Sequence, residues 1–296
     1  MRVLITGING FVGRILKDNL AGQGKEVFGI DLSCTGENNF SLDITDLAAV
    51  NDCIHRVRPD FIVHLSAISR VDFDNVGTLY STNVSGTMNL LYGAARLERQ
   101  PKFLMVSSSQ VYGIVPEKEQ PITENTGVRP VNHYGASKAA AENICHAFNR
   151  EYGIPVVIAR PFNHIGRGQS LNFVVPKIIR AFHDGKNELE LGNVNVLRDF
   201  LDVRDVIDAY NRIMENFQSG EVFNISSGRG IKVIDVIRIL ENQTGRDMKI
   251  VTKNDLLRKN DITCSIGDYS KIGKSLGWEP VHPIEDTIKW IIDEAV

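Results

Sequence analysis

Residues 2–13 read RVLITGINGFVG, and this stretch decides the fold class. Its first five residues are mostly apolar and β-branched, which is typical of a buried strand. Gly7, Gly10 and Gly13 then follow in the GxxGxxG spacing, and a helix-like run begins at their end. Glycines at such a strand-to-helix turn let a dinucleotide pyrophosphate approach the backbone at the positive end of the helix. We therefore predict that this turn binds a dinucleotide through all three glycines.

The first half of the sequence alternates short β-rich apolar runs with longer helix-like segments. Such alternation is typical of βαβ units, whose strands are parallel and whose helices cover both faces of the sheet. The fold class that it predicts is α/β, with a Rossmann doubly wound parallel sheet. The predicted strands are 2–6, 26–30, 61–65, 103–107 and 156–159, and helical periodicity covers 79–96 and 134–152.

The composition of the sequence changes after residue 161, where a polar, glycine-rich stretch begins. We predict a smaller C-terminal α/β substrate lobe that is interleaved in sequence with the first domain. Residues 1–162, with about 199–226, are assigned to the NAD-binding domain, and residues 163–198, with about 227–296, to the substrate lobe. The elements expected after residue 161 are a helix over 173–182, a hairpin over 185–195, a helix over 198–214, a strand over 223–227 and a helix over 284–292.

Composition excludes several classes of protein. The 296 residues carry 33 Lys and Arg against 36 Asp and Glu, so the net charge of -3 lacks the basic footprint of a nucleic-acid binder. No 18-residue apolar run and no signal-peptide core are present, so we expect neither a membrane segment nor secretion. The cysteines are far apart and form no CxxC pair, which predicts no metal site and fits a reduced, cytoplasmic protein. They are Cys34, Cys53, Cys145 and Cys264.

The second predicted strand is followed by Asp31, 18 residues after Gly13. A carboxylate at this place accepts hydrogen bonds from the adenosine ribose hydroxyls, and its charge repels a 2′-phosphate. NAD(H) is therefore the favoured cofactor. Arg14, at the start of the first helix, is placed where a cation could meet a phosphate, so NADP(H) stays possible.

A second motif, Tyr134-Gly135-Ala136-Ser137-Lys138, places Tyr134 and Lys138 four residues apart on one helix face. A neighbouring ammonium favours the phenolate, so we expect Lys138 to lower the pKa of Tyr134. Tyr134 would then act as general acid toward a carbonyl oxygen, and Ser108 would hydrogen-bond the same oxygen. Lys138 would also bond the nicotinamide ribose. The predicted catalytic residues are Ser108, Tyr134 and Lys138.

These motifs resemble, in order and along nearly the whole sequence, the extended short-chain dehydrogenase/reductase family. The resemblance implies that Asp43 and Ile44 lie near the adenine, that Leu65 and Ser66 lie along the cofactor, and that Asn83 supports its nicotinamide end. It also implies a nucleotide-sugar substrate and a homodimer that pairs through a four-helix bundle. Further motifs that carry it are LDI (42–44), HLSA (64–67), SSSQVYG (107–113), RPFN (160–163) and LGWEP (276–280).

The segments 159–174 and 198–205 are most similar to the GDP-4-dehydro-6-deoxymannose reductases. This similarity implies that Asn163, Lys177 and Arg198 contact the substrate diphosphate. A clamp of cationic side chains is the expected chemistry for a diphosphate.

Two further residues complete the predicted substrate site. Arg258 would close on the diphosphate from the C-terminal side, and the hydroxyl of Ser69, after the third strand, would bond the sugar. The sequence departs from the subfamily where Lys259 replaces a proline and where Arg167 replaces the proline of a GPGQ loop. The base therefore stays open among GDP, dTDP, CDP and UDP.

Gln110 helps to separate the reactions of the family. Dehydratases generally have a carboxylate two residues before the Tyr of VYG, whereas Gln110 is an amide that cannot take a proton. Ser109 also stands where many dehydratases place an acid. We expect NAD(P)H-dependent reduction of the C4 ketone of a nucleotide-linked 4-keto-6-deoxyhexose, in deoxysugar biosynthesis. The alternatives are a nucleotide-sugar 4-epimerase and, in another class, a non-catalytic dinucleotide-binding sensor.

Overall fold

Strands and helices alternate through the first half of the computed structural model, which describes residues 1–256 and 261–293. The first elements are β1 (Arg2–Thr6), α1 (Phe11–Gly22), β2 (Glu26–Asp31), β3 (Asn39–Ser41), α2 (Leu47–Val57), β4 (Phe61–His64), α3 (Val76–Tyr80), α4 (Gly86–Ala95), β5 (Lys102–Val106), α5 (His133–Tyr152) and β6 (Val156–Pro161). The later elements are β7 (Asn163–Ile165), α6 (Val174–His183), β8 (Glu188–Leu191), β9 (Leu197–Asp202), α7 (Val203–Glu215), β10 (Val222–Ile225), β11 (Gly230–Lys232), α8 (Val233–Thr244), β12 (Lys249–Thr252), β13 (Cys264–Ser265), α9 (Ser270–Leu276) and α10 (Ile284–Asp293).

The main sheet has seven strands in the order β3-β2-β1-β4-β5-β6-β10. Each neighbouring pair from β3 to β6 is parallel. The predicted Rossmann fold class is therefore confirmed. The strand order reverses between β1 and β4, and ligands of such sheets bind outside the carboxyl ends of the strands at that point. The five strands predicted from apolar runs are present within two residues of their expected bounds. The three-residue edge strand β3 has no apolar run and was not expected.

The helix α5 places Tyr134 near its first turn. The side chain of Asn132 accepts a hydrogen bond from the backbone N–H of Gly135 at 2.8 Å and so caps the helix. The helix ends at Gly153, whose φ of 75° is the left-handed conformation that favours glycine. The face of α5 that contains Ala141, Cys145 and other buried residues packs into the core beside the sheet. Sequence-local caps thus fix where this helix starts and ends.

The helix expected over residues 79–96 is interrupted. A π-helical turn, Ser81–Ser85, separates α3 from α4. The turn is rich in Ser, Thr and Asn, which are weak helix formers, and it holds Asn83 at 1% exposure. Such turns are often found at functional sites.

The later part of the chain forms two smaller sheets. In one, β9 pairs with β11, β13 and β7, and in the other β8 pairs in parallel with β12. The predicted hairpin over 185–195 is therefore wrong, because the partner of β8 comes from residues 249–252. The predicted helix over 198–214 is wrong in its first part, which is strand β9. Four consecutive residues of β9 are buried, and a short buried strand cannot be distinguished from a helix by periodicity.

The chain divides into two compact units. Unit 1 is Met1–Gly113, Gly127–Pro161 and Ala209–Phe223, and unit 2 is the remainder. The predicted boundaries differ from this division at residues 114–126, 162, 199–208 and 224–226, which belong to unit 2. Residues 114–126 join unit 2 through Ile122, which exchanges backbone hydrogen bonds of 2.8 Å with Ile266 and Asp268. Such a pairing between distant segments has no local sequence signal.

Candidate active site

The turn after β1 leaves little space for a side chain at its three glycines. Gly7 has φ +72°, and a Cβ there would lie 3.0 Å from the backbone nitrogen of Ser66 and 3.2 Å from the carbonyl carbon of Leu65. A Cβ on Gly13 would overlap the carbonyl oxygen of Gly7, and one on Gly10 would lie 3.0 Å from the same oxygen. The three predicted glycines thus form a bare backbone cradle beside Leu65 and Ser66. This cradle fits the close approach of a pyrophosphate.

Asp31 lies at the end of β2, at the edge of this cradle. One carboxylate oxygen accepts a hydrogen bond from the backbone N–H of Asn9 at 3.0 Å, and the other accepts one from the N–H of Leu32 at 2.8 Å. A carboxylate has about four acceptor positions, so two remain for ribose hydroxyls. The carboxylate is thus oriented by the backbone of the glycine turn.

The segment predicted to lie near the adenine is fixed against α4. Asp43 accepts a hydrogen bond from the N–H of Thr45 at 2.9 Å, and Asn89 donates to the carbonyl of Ile44 at 3.0 Å. Ile44 is buried, and a Cβ on Gly86 would lie 2.5 Å from its Cδ1 atom. Both predicted residues therefore have a defined position, held by a helix that is distant in sequence.

Two strand ends and a helix are joined through His64. Its Nδ1 lies 2.7 Å from Oγ1 of Thr6 in β1, and its Nε2 lies 2.9 Å from Oγ1 of Thr87 in α4. Burial, together with the charge of Lys138, lowers the pKa of His64 to about 3. The imidazole is therefore neutral at physiological pH and serves as a hydrogen-bonding link.

Asn83 connects the loop after β4 to the helix that carries Tyr134. Its side chain accepts a hydrogen bond from the N–H of Ile68 at 2.8 Å and donates to the carbonyl of Ile68 at 3.1 Å. It also donates to Oγ of Ser137 at 2.9 Å, and Ser137 donates to the carbonyl of Tyr134 at 2.8 Å. Ser69 follows Ile68 and is exposed. Sequence analysis missed Ser137, whose only signal is its place inside YGASK.

Ser108 and Tyr134 lie beside each other. Tyr134 is 8% exposed, and Ser108 is also buried. Burial raises the pKa of Tyr134, and the neighbouring hydroxyl of Ser108 opposes this shift. The expected lowering of this pKa is therefore wrong for the protein as it stands. Burial disfavours the phenolate, and the ammonium of Lys138 donates to the carbonyl of Val106 at 2.8 Å.

Lys138 is 3% exposed. Burial lowers the pKa of Lys138 to about 8, and the charge of Glu142 opposes the shift. A lysine that titrates near neutrality can exchange a proton more readily than an exposed one. The role of Lys138 toward the nicotinamide ribose stays a prediction.

Sequence analysis missed a buried ion pair between Glu142, on the same helix, and Arg160 of β6. Arg160 donates to both carboxylate oxygens of Glu142, at 3.0 and 2.7 Å. Arg160 also donates to the hydroxyl of Tyr112 at 3.0 Å, and Ser107 donates to Glu142 at 2.5 Å. The one local signal was the spacing of Glu142, four residues after Lys138.

In unit 2, the predicted substrate cations already have partners. Lys177 donates to the carbonyl of Glu190 at 2.9 Å, and Arg198 pairs with Asp261 at 3.0 Å. Asn163 is the first residue of β7, and Arg258 lies outside the described residues. Arg198 does not stand as an uncompensated charge, because Asp261 neutralises it. The sequence could not indicate this pair, since the partners are 63 residues apart.

Acidic residues of segment 198–205 form hydrogen bonds to distant parts of unit 2. Asp199 is fully buried and accepts four hydrogen bonds, two from Ser227, one from Gly228 and one from Gly267. Asp202 accepts a bond from Thr287 at 2.8 Å. These carboxylates therefore act as internal acceptors.

Arg167, which replaces the proline of the subfamily loop, also makes contacts within unit 2. Its guanidinium donates to the carbonyl of Trp290 at 2.8 Å and stacks on that ring with a centroid distance of 4.3 Å. The contact attaches the loop after β7 to α10.

Two absences concern the described residues alone. None of the helices in residues 1–256 and 261–293 combines the length and apolar character that crossing a bilayer requires. Within the same ranges, no group of three or more His, Cys, Asp and Glu side chains is arranged to hold a metal ion.

The parallel sheet, the glycine cradle with Asp31 and the Ser108–Tyr134 contact define a dinucleotide-binding α/β oxidoreductase. The profile of the NAD dependent epimerase/dehydratase family matches residues 3–226. The chain belongs to this family. It is thus an oxidoreductase of the extended short-chain dehydrogenase/reductase type with a nicotinamide dinucleotide cofactor.

The curated relatives that match nearly the whole chain include a dehydrogenase and a reductase. GDP-6-deoxy-D-talose 4-dehydrogenase of Aggregatibacter actinomycetemcomitans is 36% identical over 279 residues, which is 94% of this chain and 92% of the relative. GDP-6-deoxy-D-mannose reductase of Pseudomonas aeruginosa is 31% identical over 300 residues, 99% of this chain and 96% of the relative.

Solved structures have the same fold over the same length. UDP-glucose 4-epimerase from Thermotoga maritima with UDP-glucose superposes with a TM-score of 0.92 at 30% identity, covering 99% of this chain and 98% of that chain. RMD from Pseudomonas aeruginosa complexed with NADPH has a TM-score of 0.88 at 31% identity and covers 99% and 97%. These relatives therefore include a 4-epimerase beside the oxidoreductases.

Proposed function

We propose that this protein reduces the C4 ketone of a nucleotide-linked 4-keto-6-deoxyhexose. The substrate is GDP-4-dehydro-6-deoxymannose or a dTDP, CDP or UDP analogue. Two relatives have names that describe oxidoreductases of GDP-linked 6-deoxyhexoses, and they favour GDP over the other nucleotides. The observation that carries the proposal is the position of Tyr134, which is buried at the start of α5 beside the buried Ser108 and four residues before Lys138.

The surroundings of Gln110 support reduction over dehydration. Its side-chain oxygen accepts a hydrogen bond from the side chain of Asn132 at 3.0 Å, and Asn132 caps α5. Gln110 thus braces the start of the helix that carries Tyr134. An amide neither gives nor takes a proton, so this position cannot perform the proton transfers of a dehydratase.

The roles of the residues follow from their positions. Bound NADH supplies the hydride for the C4 carbon. Tyr134 protonates the ketone oxygen, and its raised pKa keeps the phenol protonated and ready to act as an acid at neutral pH. Ser108 donates a hydrogen bond to the same oxygen. Lys138, protonated below its pKa of about 8, holds the nicotinamide ribose.

NAD(H) is the proposed physiological cofactor, and NADP(H) stays possible. The carboxylate of Asp31, oriented by Asn9 and Leu32, supports ribose binding and opposes a 2′-phosphate. The match to RMD complexed with NADPH keeps the phosphorylated cofactor open. Gly7, Gly10 and Gly13 would hold the pyrophosphate. Along the rest of the cofactor, the proposed contacts are Asp43, Ile44, Leu65, Ser66 and Asn83.

The substrate contacts and the assembly are proposals from the family resemblance. Ser69 would bond the sugar, and Asn163, Lys177, Arg198 and Arg258 would meet the diphosphate. A homodimer through α4 and α5 is proposed on the same resemblance, and Tyr152 at the end of α5 is 41% exposed.

The test measures oxidation of NADH and NADPH with GDP-, dTDP-, CDP- and UDP-4-keto-6-deoxyhexoses, followed by NMR of each product. We expect turnover with one base, with NADH preferred. A 4-epimerase is the second candidate, because the Thermotoga maritima 4-epimerase superposes over the whole chain. Interconversion of C4 epimers without added cofactor, and no net oxidation of NADH, would replace the reductase by the epimerase. Dinucleotide binding without either activity would indicate the sensor.

A further inference from the structure

Four buried side chains lie behind Lys138, and the proposed reaction uses none of them. We refer to Ser107, Tyr112, Glu142 and Arg160 as the Glu142 cluster. Each of them is at most 6% exposed. Acidic and basic side chains are rarely buried this far unless they are paired. The cluster contains one carboxylate and one guanidinium, so it satisfies that requirement internally.

The carboxylate of Glu142 is held rigidly by groups from two strands. Arg160, in β6, makes a two-pronged contact with both oxygens, at 3.0 and 2.7 Å. Ser107, which follows β5, donates to one of these oxygens. The remaining arm of the guanidinium donates to Tyr112. Three hydrogen bonds therefore converge on this carboxylate, two of them from a guanidinium.

The cluster is connected to Lys138 in two ways. Glu142 follows Lys138 by four residues on α5, so their side chains share one face of the helix. Lys138 also donates to the carbonyl of Val106, and the next residue, Ser107, donates to Glu142. The proposed catalytic lysine and the buried carboxylate therefore share a helix face and a strand end.

We propose that Glu142, fixed by Arg160 and Ser107, is a positioning residue that keeps Lys138 protonated in the active site. This inference rests on the proposed role of Lys138. A buried ion pair adds little net stability compared with an apolar pair of the same size, so stability alone does not account for the cluster. The electrostatic effect of Glu142 on the ammonium of Lys138 does account for the cluster.

The groups that face Lys138 show why the carboxylate matters. Burial lowers the pKa of Lys138, whereas the charge of Glu142 raises it. His64 of β4 is neutral, because burial lowers its pKa. Tyr134 and Cys145 of α5 are also neutral, because burial raises the pKa of each. Among these groups in the described part of the chain, Glu142 carries the negative charge.

Replacing Glu142 and replacing Arg160 should shift the titration midpoint of Lys138 in opposite directions. Glu142→Gln removes the anion and leaves the cation of Arg160 nearby, so the titration midpoint of Lys138 should fall, by about one pH unit or more at an effective dielectric constant near 20. Arg160→Gln leaves the anion uncompensated, so the midpoint should rise. Both variants break the same contact, so a merely structural effect would not change sign between them.

The experiment is an NMR titration of the Lys138 side chain in the full-length protein, labelled with ¹⁵N and ¹³C lysine and assigned with Lys138→Ala. Glu151→Gln is the matched control, since Glu151 is exposed on the same helix. A lower midpoint in Glu142→Gln and a higher one in Arg160→Gln support the inference. An unchanged midpoint in either variant, or the same direction in both, overturns it. If Glu142→Gln does not fold, Arg160→Gln decides alone.

A second readout separates this inference from the proposed reaction. The titration requires no substrate, so a response of Lys138 in a protein that reduces no 4-keto sugar would refute the reaction and leave the role of Glu142 standing. Where turnover is found, the alkaline decrease of kcat should begin at lower pH in Glu142→Gln. A uniform loss of kcat at every pH, with the same alkaline decrease as wild type, would overturn the positioning role.

Discussion

His64 gives a prediction whose magnitude follows directly from the structure. The imidazole is buried between Thr6 and Thr87, and its pKa is lowered to about 3 from an ordinary value of 6.5. The unfolded chain therefore binds a proton below about pH 6.5, and the folded protein does so only near pH 3. Its contribution to stability is thus present above pH 6.5 and is lost as the pH falls from about 6.5 to about 3.

Between pH 7 and pH 5 this loss is about 2 kcal/mol, since 1.5 pH units below 6.5 at 1.36 kcal/mol each give that amount. In His64→Gln the titrating group is absent, and an amide can still bond both threonines. We expect the variant to lose about 2 kcal/mol less than wild type over this interval.

The assay is urea unfolding at pH 7 and pH 5, with the free energy of unfolding compared between the two values for each protein. His55→Gln is the control, because the His55 side chain is exposed on α2. The reasoning fails if wild type and His64→Gln lose equal stability between pH 7 and pH 5.

Three further predictions concern the cofactor and catalytic residues. Tyr134→Phe should lower kcat by about 10²- to 10⁴-fold with NADH affinity nearly unchanged, because the proton donor is lost; near-normal turnover in steady-state kinetics would contradict its role. Asp31→Ala should decrease the NADH/NADPH ratio of kcat/KM, and a wild type that already prefers NADPH would refute the ribose argument. Asn83→Ala removes three hydrogen bonds, so it should cost about 3 kcal/mol in urea unfolding and lower kcat by displacing Ile68 and α5. Asn89→Ala, which removes two bonds beside the adenine segment, should cost stability with kcat retained, and equal effects on kcat would exclude a specific role for Asn83.

The sequence correctly predicted the parts of the fold that are specified by residues close together in the chain. Alternating apolar runs and the glycine turn predict the parallel sheet, because each strand and each turn carries its own signal within a few residues. The catalytic helix was expected from residue 134 and begins at His133. The hairpin over 185–195 failed for the opposite reason, since the partner of β8 is β12 and lies about 60 residues further along.

The site divides in the same manner. Tyr134 and Lys138 were predicted from their spacing and Ser108 from its place after a strand, and in the structure Ser108 lies beside Tyr134. The direction of the tyrosine pKa was not predictable, because it depends on burial and on the orientation of Lys138 toward Val106.

The sequence by itself determined the α/β class, the glycine cradle, the position of Asp31 and the spacing of Tyr134 and Lys138. Periodicity and spacing are properties of neighbouring residues, so they can be recognised before the chain folds. The tertiary structure alone decided that Arg160 would meet Glu142, that Asn83 would join a loop to α5, and that Arg198 would pair with Asp261. These contacts join segments that are distant in sequence, so they form only when the chain has folded and no local pattern predicts them.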